Sequence, residues 1–361
     1  MAGPEKSRTS NQPQNTAFKQ QRLPAWQPVL TAWNVLPTFL LVGFLFIPLG
    51  VVLLVTSNNC FEKQISYTNC QNSQGTECYS VIKSQLEVSP PQVTDCQCEI
   101  DFSLDKDLEG TVYLYYKLTN FFQNHRVYVK SRDNSQLSGK TGQSVSDLDQ
   151  NCEPYRSVEV NGQQVPIAPC GTIANSMFND TFTVTNSSTN PIIINKKGIA
   201  WSTDHNIKFQ NPSYDQCAKD DLKCNFGATN QSGVVQTAKP VFWGQPVYEL
   251  PPTDQGPDYT GYKNEPLEVW MRTAAFPTFR KLYGKIEDGL VAGDYKIKID
   301  YNYPTKGFSG EKYFVITQMT WAGGKNPFLG IAYIVVGSLS LIAAAVLWVI
   351  HMQSKKSGNE R

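Results

Sequence analysis

The sequence predicts a two-span membrane protein whose bulk is a mainly antiparallel, sandwich-like β ectodomain, disulfide-bonded and with a few short helices. Three observations carry that expectation. Residues 35–55 and 328–350 form two long apolar runs that contain no ionisable side chain. All nine cysteines and all three N-x-S/T sequons lie between those runs. Most patterned segments of that middle region alternate apolar and polar residues with a period of two.

Each apolar run is long enough to cross a hydrocarbon core of about 30 Å at about 1.5 Å per residue. The first run is too long for the core of a cleaved signal peptide, and no small-x-small site follows it in VTSNNCFE. It is read as a retained signal anchor. Lys6, Arg8, Lys19 and Arg22 precede the first span, and Lys355, Lys356 and Arg361 follow the second. The positive-inside rule then places both tails in the cytosol, and the single cation Lys325 at the outer end of the second span does not outweigh them. The expected partition is a cytosolic tail (1–34), a first span (35–55), a lumenal or extracellular domain (56–327), a second span (328–350) and a cytosolic tail (351–361). Cysteines suit that oxidising side. So do the sequons at Asn179 (NDT), Asn186 (NSS) and Asn230 (NQS), which are expected to carry N-linked glycans.

Within the domain, YKIKIDYNY (295–303) is the clearest half-buried strand, since Tyr and Ile alternate with Lys, Asp and Asn. CEIDFSL alternates Ile100, Phe102 and Leu104. TVYLYYKL (111–118) and KYFVITQMTW (312–321) are rich in β-branched and aromatic residues. EPLEVWM is a further strand candidate. One helix is expected in FPTFRKLYGKIEDG, where Pro277 opens it, Phe279, Leu282, Tyr283 and Ile286 share a face, and Gly289 ends it. The polar stretch 131–150 is expected at the surface.

Cys70, Cys78, Cys96 and Cys98 open the domain, and direct pairing of Cys96 with Cys98 would be badly strained. Nested (Cys70–Cys98, Cys78–Cys96) and crossed pairings remain, with the nested one favoured. Cys152 and Cys170 flank a loop whose closure contributes about 3 kcal/mol in the chain-entropy model. Cys217 and Cys224 form a local pair, and Cys60 is left over. Zinc is disfavoured, because CQC is not a C-x-x-C knuckle and only His125 and His205 could add imidazoles.

Signals of chemistry are sparse. The formal net charge is +1, which argues against a nucleic-acid partner. H-E-x-x-H and G-x-S-x-G do not occur, and no D-K-T-G phosphorylation motif is present, so the chain is not itself a P-type pump. SGKT (138–141) lacks the leading glycine of a phosphate loop, since position 134 is asparagine. No catalytic residue, cofactor or metal is expected. The second span instead carries a stripe of small residues, Gly330, Gly337 and Ala344 at seven-residue spacing with Ser340 beside them. Such a stripe lets another helix approach closely. Neither span has a charged interior position, so neither obviously lines an ion path.

Seven ordered blocks resemble a known family. They are NTAFKQQRLPAWQP before the first span, SNN after it, TNFFQNHRVYVKSRD (119–133), PIAPCGTIANSMFNDTF (166–182), KKGIAWSTDHNIKFQNP (196–212), VWMRTAAFPTFRKLY (269–283) and WAGGKNPFLGIAYIVVGS (321–338). Together they resemble the LEM/CDC (CDC-fifty) family, the accessory β-subunits of type IV P-type ATPases, the phospholipid flippases. The resemblance runs from about residue 15 to 338. It implies a non-enzymatic subunit that binds a catalytic α-subunit as a heterodimer, escorts it from the endoplasmic reticulum and supports lipid flipping to the cytosolic leaflet. It implies the nested pairs and Cys152–Cys170, a glycan on Asn179 and, more weakly, Cys217–Cys224; Cys60 has no counterpart. Residence in the endoplasmic reticulum, Golgi, endosomes or plasma membrane would follow the partner.

Three partner surfaces are expected from this resemblance. The small face of the second span (Gly330, Gly337, Ser340, Ala344) would pack on partner helices. KKGIAW and WMRTAAFPTF would meet exoplasmic loops through Lys196, Lys197 and Arg272, whereas Trp270 and Phe279 suit a core. The N-terminal strip would dock through Phe18, Lys19 and Arg22 and anchor at membrane phospholipids near Trp26. Pro24 and Pro28 favour an extended segment there. Two rival functions share the gross layout, a two-span ligand-gated channel subunit and a glycan-binding or adhesion ectodomain.

Overall fold

The computed structural model describes residues 15–24, 31–86, 96–187, 190–228, 232–251 and 259–359. It divides into a helical unit (1–55 and 326–361) and a β-rich unit (56–325).

Two long apolar helices dominate the first unit, Ala32–Asn59 and Phe328–Asn359. Both are long and apolar enough to cross a membrane. Pro37 and Pro48 lie inside the first. The helices pack antiparallel through glycines. A Cβ on Gly50 would lie 2.8 Å from the Gly330 carbonyl oxygen, and one on Gly337 would lie 2.8 Å from Ile47 Cγ1. The Gly43 position abuts Leu341, and Phe46 meets Tyr333 edge to face at 4.9 Å. Close backbone approach of this kind is how membrane helices associate. Both tails therefore leave the pair at one end.

Among the described residues the β-rich unit contains nine strands. These are β1 (Glu62–Ser66), β2 (Cys96–Leu104), β3 (Val112–Leu118), β4 (Ser157–Val160), β5 (Gln163–Pro166), β6 (Thr181–Asn186), β7 (Phe279–Ile286), β8 (Gly293–Tyr301) and β9 (Lys312–Gln318). They form a four-stranded sheet in the order β1-β9-β3-β7, a three-stranded sheet in the order β2-β8-β6 and the hairpin β4-β5, all antiparallel. The strands expected within 98–104, 111–118, 295–303 and 312–321 are present as β2, β3, β8 and β9. Their alternation buries Val112, Leu114, Tyr116 and Leu118 of β3 against Tyr295, Ile297, Ile299 and Tyr301 of β8 in one core. Phe182 of β6 joins the sheets, with its ring 4.8 Å from those of Phe314 and Tyr283. β1 pairs with β9 from Glu62↔Thr317 onward, so the chain enters and leaves this unit at the same end of one sheet.

Two expectations are reversed. EPLEVWM is a helix, Glu265–Met271, and the stretch 276–289, expected as a helix, instead holds strand β7. The helix starts where Asn264 accepts from the Leu267 N–H at 3.2 Å, with proline in the first turn, as helix starts favour. Its last carbonyls are capped by Lys281, whose Nζ donates to Val269, Trp270 and Arg272 oxygens at 2.6–2.8 Å. In β7 the partners jump from Leu114↔Gly284 to Tyr115↔Leu282, which makes Tyr283 the extra residue of a bulge. The bulge shifts the inward parity, so Phe279, Tyr283 and Ile286 face the core at spacings that imitate a helix. The stretch 131–150 is not wholly superficial either, since Ser131, Asp133, Gln136, Leu137 and Leu148 are buried.

The cysteines pair as Cys70–Cys98, Cys78–Cys96, Cys152–Cys170 and Cys217–Cys224, with Cα separations between 5.5 and 6.0 Å. A tight turn bridging Gln71 and Glu77 sets Cys70 beside Cys78, and Cys96 and Cys98 share the buried face of β2, so the nested bridges run side by side. Cys60 is free and buried, with its thiol 3.0 Å from the Gln318 carbonyl oxygen.

Candidate functional site

The segments KKGIAW and WMRTAAFPTF, distant in sequence, meet on one face of the β-rich unit. Asn195 exchanges two backbone hydrogen bonds with Lys285, each 2.8 Å, and so extends the β7 edge. The chain then turns over the helix Glu265–Met271. Buried Glu265 fixes that turn by accepting the N–H groups of Gly198, Ile199 and Ala200 at 2.7–2.9 Å. Three backbone donors converging on one carboxylate make a strong, charge-assisted clamp.

Trp201, next in the chain after clamped Ala200, is 64% exposed, and Phe276, four residues beyond Arg272, is 74% exposed. The Arg272 guanidinium lies over the Trp201 ring at 4.1 Å, a cation–π contact, and its Nε is 3.2 Å from buried Asp204. Asp204 also binds Lys208 Nζ at 2.6 Å. A groove of about 370 Å³ runs beside this arrangement, lined among others by Trp201, Arg272, Glu268 and Lys281. At its floor Glu268 Oε1 is 3.0 Å from His205 Nδ1. Burial, then the nearby carboxylates of Glu265 and Asp204, push the Glu268 carboxyl up to about 9. Burial and Arg272 hold the Lys281 amine well below the ordinary lysine range. Exposed aromatic and cationic groups held on a rigid, hydrogen-bonded base fit protein recognition better than bond-making. Among the described residues no group of three or more His, Cys, Asp or Glu could hold a metal ion.

The family model described as the LEM3 (ligand-effect modulator 3) family / CDC50 family matches residues 53–357. The chain belongs to this family. It is 48% identical to mouse "Cell cycle control protein 50A", covering 97% of this chain and 92% of the relative. It is 42% identical to human "Cell cycle control protein 50B", covering 96% of this chain and 95% of the relative. It is 40% identical to an Arabidopsis thaliana protein, "ALA-interacting subunit 3", covering 96% of this chain and 88% of the relative.

In this family member the expected partner residues fall into separate places. Arg272 belongs to the exposed face just described. Lys196 is half-buried over the Tyr283 ring at 4.4 Å, and exposed Lys197 lies over Tyr259 at 5.1 Å. Trp270 is fully buried. The small stripe differs from expectation. Gly330, Gly337, Ser340 and Ala344 are buried against the first helix of the same chain, where Gly43 and Gly50 offer a matching groove. They are therefore not free to meet a partner in this arrangement. The faces left open carry bulky side chains, among them Phe44, Val52, Leu339, Ile342 and Val346.

Phe18, Lys19 and Arg22 lie in a single helical turn at 16–22, closed by Gln21 in the left-handed region (φ 54°), so this part of the strip is not extended. Phe18 is exposed. Trp26 and Asn230 lie outside the described residues. Asn179 is exposed, and Asn186 closes β6 by accepting the Asn190 N–H at 3.1 Å. Trp201 and Phe276 lie within the strips KKGIAW and WMRTAAFPTF but are not marked out there by any pattern, and neither is the clamp on Glu265. Exposure of the first two has no period to reveal it, and the clamp needs a contact 65 residues away along the chain.

Proposed function

We propose that this chain is the non-catalytic accessory β-subunit of a phospholipid-translocating type IV P-type ATPase, which hydrolyses ATP in its own α-subunit. The observation that carries this reading is family membership across the whole two-helix and β-domain layout. The subunit supports folding of the ATPase, its export from the endoplasmic reticulum and lipid flipping to the cytosolic leaflet. Both tails lie in the cytosol, and the β-rich unit lies on the lumenal or extracellular side with N-linked glycans on Asn179, Asn186 and Asn230. The antiparallel helix pair supports tails on one side, and the four disulfides support an oxidising compartment for the domain. The complex travels through the endoplasmic reticulum, Golgi and endosomes to the plasma membrane as the partner dictates.

The exposed Trp201–Arg272 pair, with Lys197 and with Phe276 four residues beyond Arg272, meets the exoplasmic loops of the ATPase. The bulky outer faces of the helices meet its membrane helices, while Gly330, Gly337, Ser340 and Ala344 hold the subunit's own pair together. The turn carrying Phe18, Lys19 and Arg22 lies on the cytosolic surface of the ATPase, with Trp26 at the headgroups. Affinity purification in mild detergent tests the reading. The expected product is a one-to-one complex with a large ATPase, and deletion retains that ATPase in the endoplasmic reticulum. Unaffected ATPase export and lipid asymmetry after deletion would refute it. Removing residues before Leu23 is expected to alter ATPase cycling more than assembly.

A further inference from the structure

A second concavity, of about 390 Å³, lies in the β-rich unit between the start of β6, β7 and the loop that carries Phe242 and Trp243. At that size it falls within the range of small-ligand sites. Its rim includes Asn179, the acceptor position of the N-D-T sequon. The other groups that matter are Phe242, Trp243, Tyr283, Asn302 and Lys196.

Their chemistry is selective. Phe242 is 53% exposed, so an open aromatic face is available. Trp243 has committed its Nε1 to the Ala174 oxygen at 2.8 Å, and the Tyr283 hydroxyl accepts the Phe182 N–H at 3.0 Å. Both therefore offer ring surface rather than free polar edges. Asn302 donates its Nδ2 to the Asn179 carbonyl at 3.4 Å, while its Oδ1 is buried and has no hydrogen-bond partner among the described residues. A buried acceptor without a donor is costly unless something supplies one. Aromatic faces beside a side-chain amide suit a pyranose, whose C–H face stacks on a ring. An acetamido N–H suits an acceptor such as Asn302 Oδ1.

We propose that this cleft is the seat of the first N-acetylglucosamine residues of a glycan carried by Asn179. The sugar packs on Phe242 and the neighbouring rings, and its acetamido group donates to Asn302. The tether makes the contact intramolecular, so a weak affinity suffices to fill the seat. Seated in this way, the glycan core covers apolar surface next to Lys196 and stiffens the junction of β6 and β7. The proposal rests on glycosylation of Asn179.

The test uses the full chain made in a glycosylating eukaryotic cell and held in mild detergent. Glycopeptide mass spectrometry first measures occupancy at Asn179. The rate at which a peptide:N-glycosidase releases that glycan is then compared between native and denatured protein. Release is expected to be slower by about tenfold or more in the native protein, the effect of a seat worth about 1.4 kcal/mol. Phe242→Ser is expected to remove most of that protection with the melting temperature unchanged. In parallel, Asn179→Gln is expected to raise amide hydrogen exchange at 242–245. An occupied Asn179 released equally fast from native and denatured protein overturns the seat and leaves glycosylation standing. Protection that survives Phe242→Ser, with exchange unchanged in Asn179→Gln, also overturns it. An unoccupied Asn179 overturns both readings.

Discussion

Asp180→Asn is expected to destabilise the β-rich unit more than any surface change near it. Asp180 and Lys312 are both fully buried, and their charges meet at 2.7 Å. Lys312 Nζ also donates to the Tyr303 oxygen at 2.6 Å and sits 3.2 Å from the Tyr301 ring centroid. Asp180 accepts three further bonds, from the Tyr67 hydroxyl at 3.0 Å and from the Asn302 and Tyr303 N–H groups at 2.6 and 2.7 Å. The pair ties the end of β8 to β9 and to the turn before β6. Removing one charge of a buried pair costs about 3–5 kcal/mol, because the other is left in the interior unpaired. Asparagine still accepts from the backbone, so the loss should fall near the lower limit, about 3 kcal/mol. At about 2–4 °C per kcal/mol for a domain of this size, the melting temperature should fall by roughly 6–12 °C. The substitution leaves the N-x-T sequence intact, so glycosylation at Asn179 does not confound the measurement.

The same pair predicts a pH dependence. Burial pushes the Lys312 amine down to about 8, against the opposing pull of Asp180, from an ordinary value of 10.5. Between these values the unfolded chain holds a proton that the folded chain has released, so this group's contribution to stability rises with pH in that window. Above pH 8 the folded amine is neutral and the ion pair is already lost in the unsubstituted protein. The deficit of Asp180→Asn should therefore be largest at pH 7 and smaller at pH 9. Thermal unfolding in mild detergent, followed by intrinsic fluorescence at both pH values, measures it. A melting temperature within 2 °C of the unsubstituted protein at pH 7, or a gap that widens at pH 9, would refute the reasoning.

Three other outcomes are expected. Glu268 is raised to about 9 from 4.5, so the folded chain holds a proton that the unfolded chain has shed, and stability falls as pH rises across that window. Glu268→Gln has no such proton and should flatten the dependence of melting temperature on pH, raising it at pH 8; an unchanged slope would show that the carboxyl is ionised in the fold. Gly50→Leu places a side chain where a Cβ alone already lies 2.8 Å from the Gly330 oxygen, so the helices must separate and the monodisperse fraction on size exclusion should drop while the four disulfides still form. Trp201→Ala with Phe276→Ala should weaken capture of the ATPase by about tenfold or more, as loss of interface anchors does, with less than about 0.5 kcal/mol change in domain stability.

The legibility of this chain in its sequence follows from where local pattern and tertiary demand agree. β2 and β8 are readable because alternation keeps one face to the core, and β3 and β9 because β-branched and aromatic residues crowd them. The pattern of 279–286 imitates a helix because a lysine occupies an inward position of β7 and a bulge shifts the parity after it. That lysine is explained only by the helix it caps, which lies earlier in the chain. The start of the helix did carry a legible signal, an asparagine two residues before a proline with glutamates in the first turn. The clamp formed by Glu265 had no such signal, since a carboxylate that collects three backbone donors looks the same in sequence as one in water.

The small-residue stripe shows that a sound local inference does not name its neighbour, which in this structure is the chain's own first helix. Gly330 and Gly337 do permit close approach, but a stripe only states that some helix comes near. Gly43 and Gly50 have the same seven-residue spacing in the first helix, and the two sets interlock when the helices run antiparallel. Intramolecular pairing meets no loss of translational freedom on association, so it takes the closest-packing surfaces first. The surface left open carries side chains such as Leu339, Ile342 and Val346, which can fill a groove by shape but do not bring backbones into contact. An interface of that kind is more easily loosened than the glycine seam. The glycine seam thus holds the chain's own hairpin, and the bulky outer faces are what remains for any other contact.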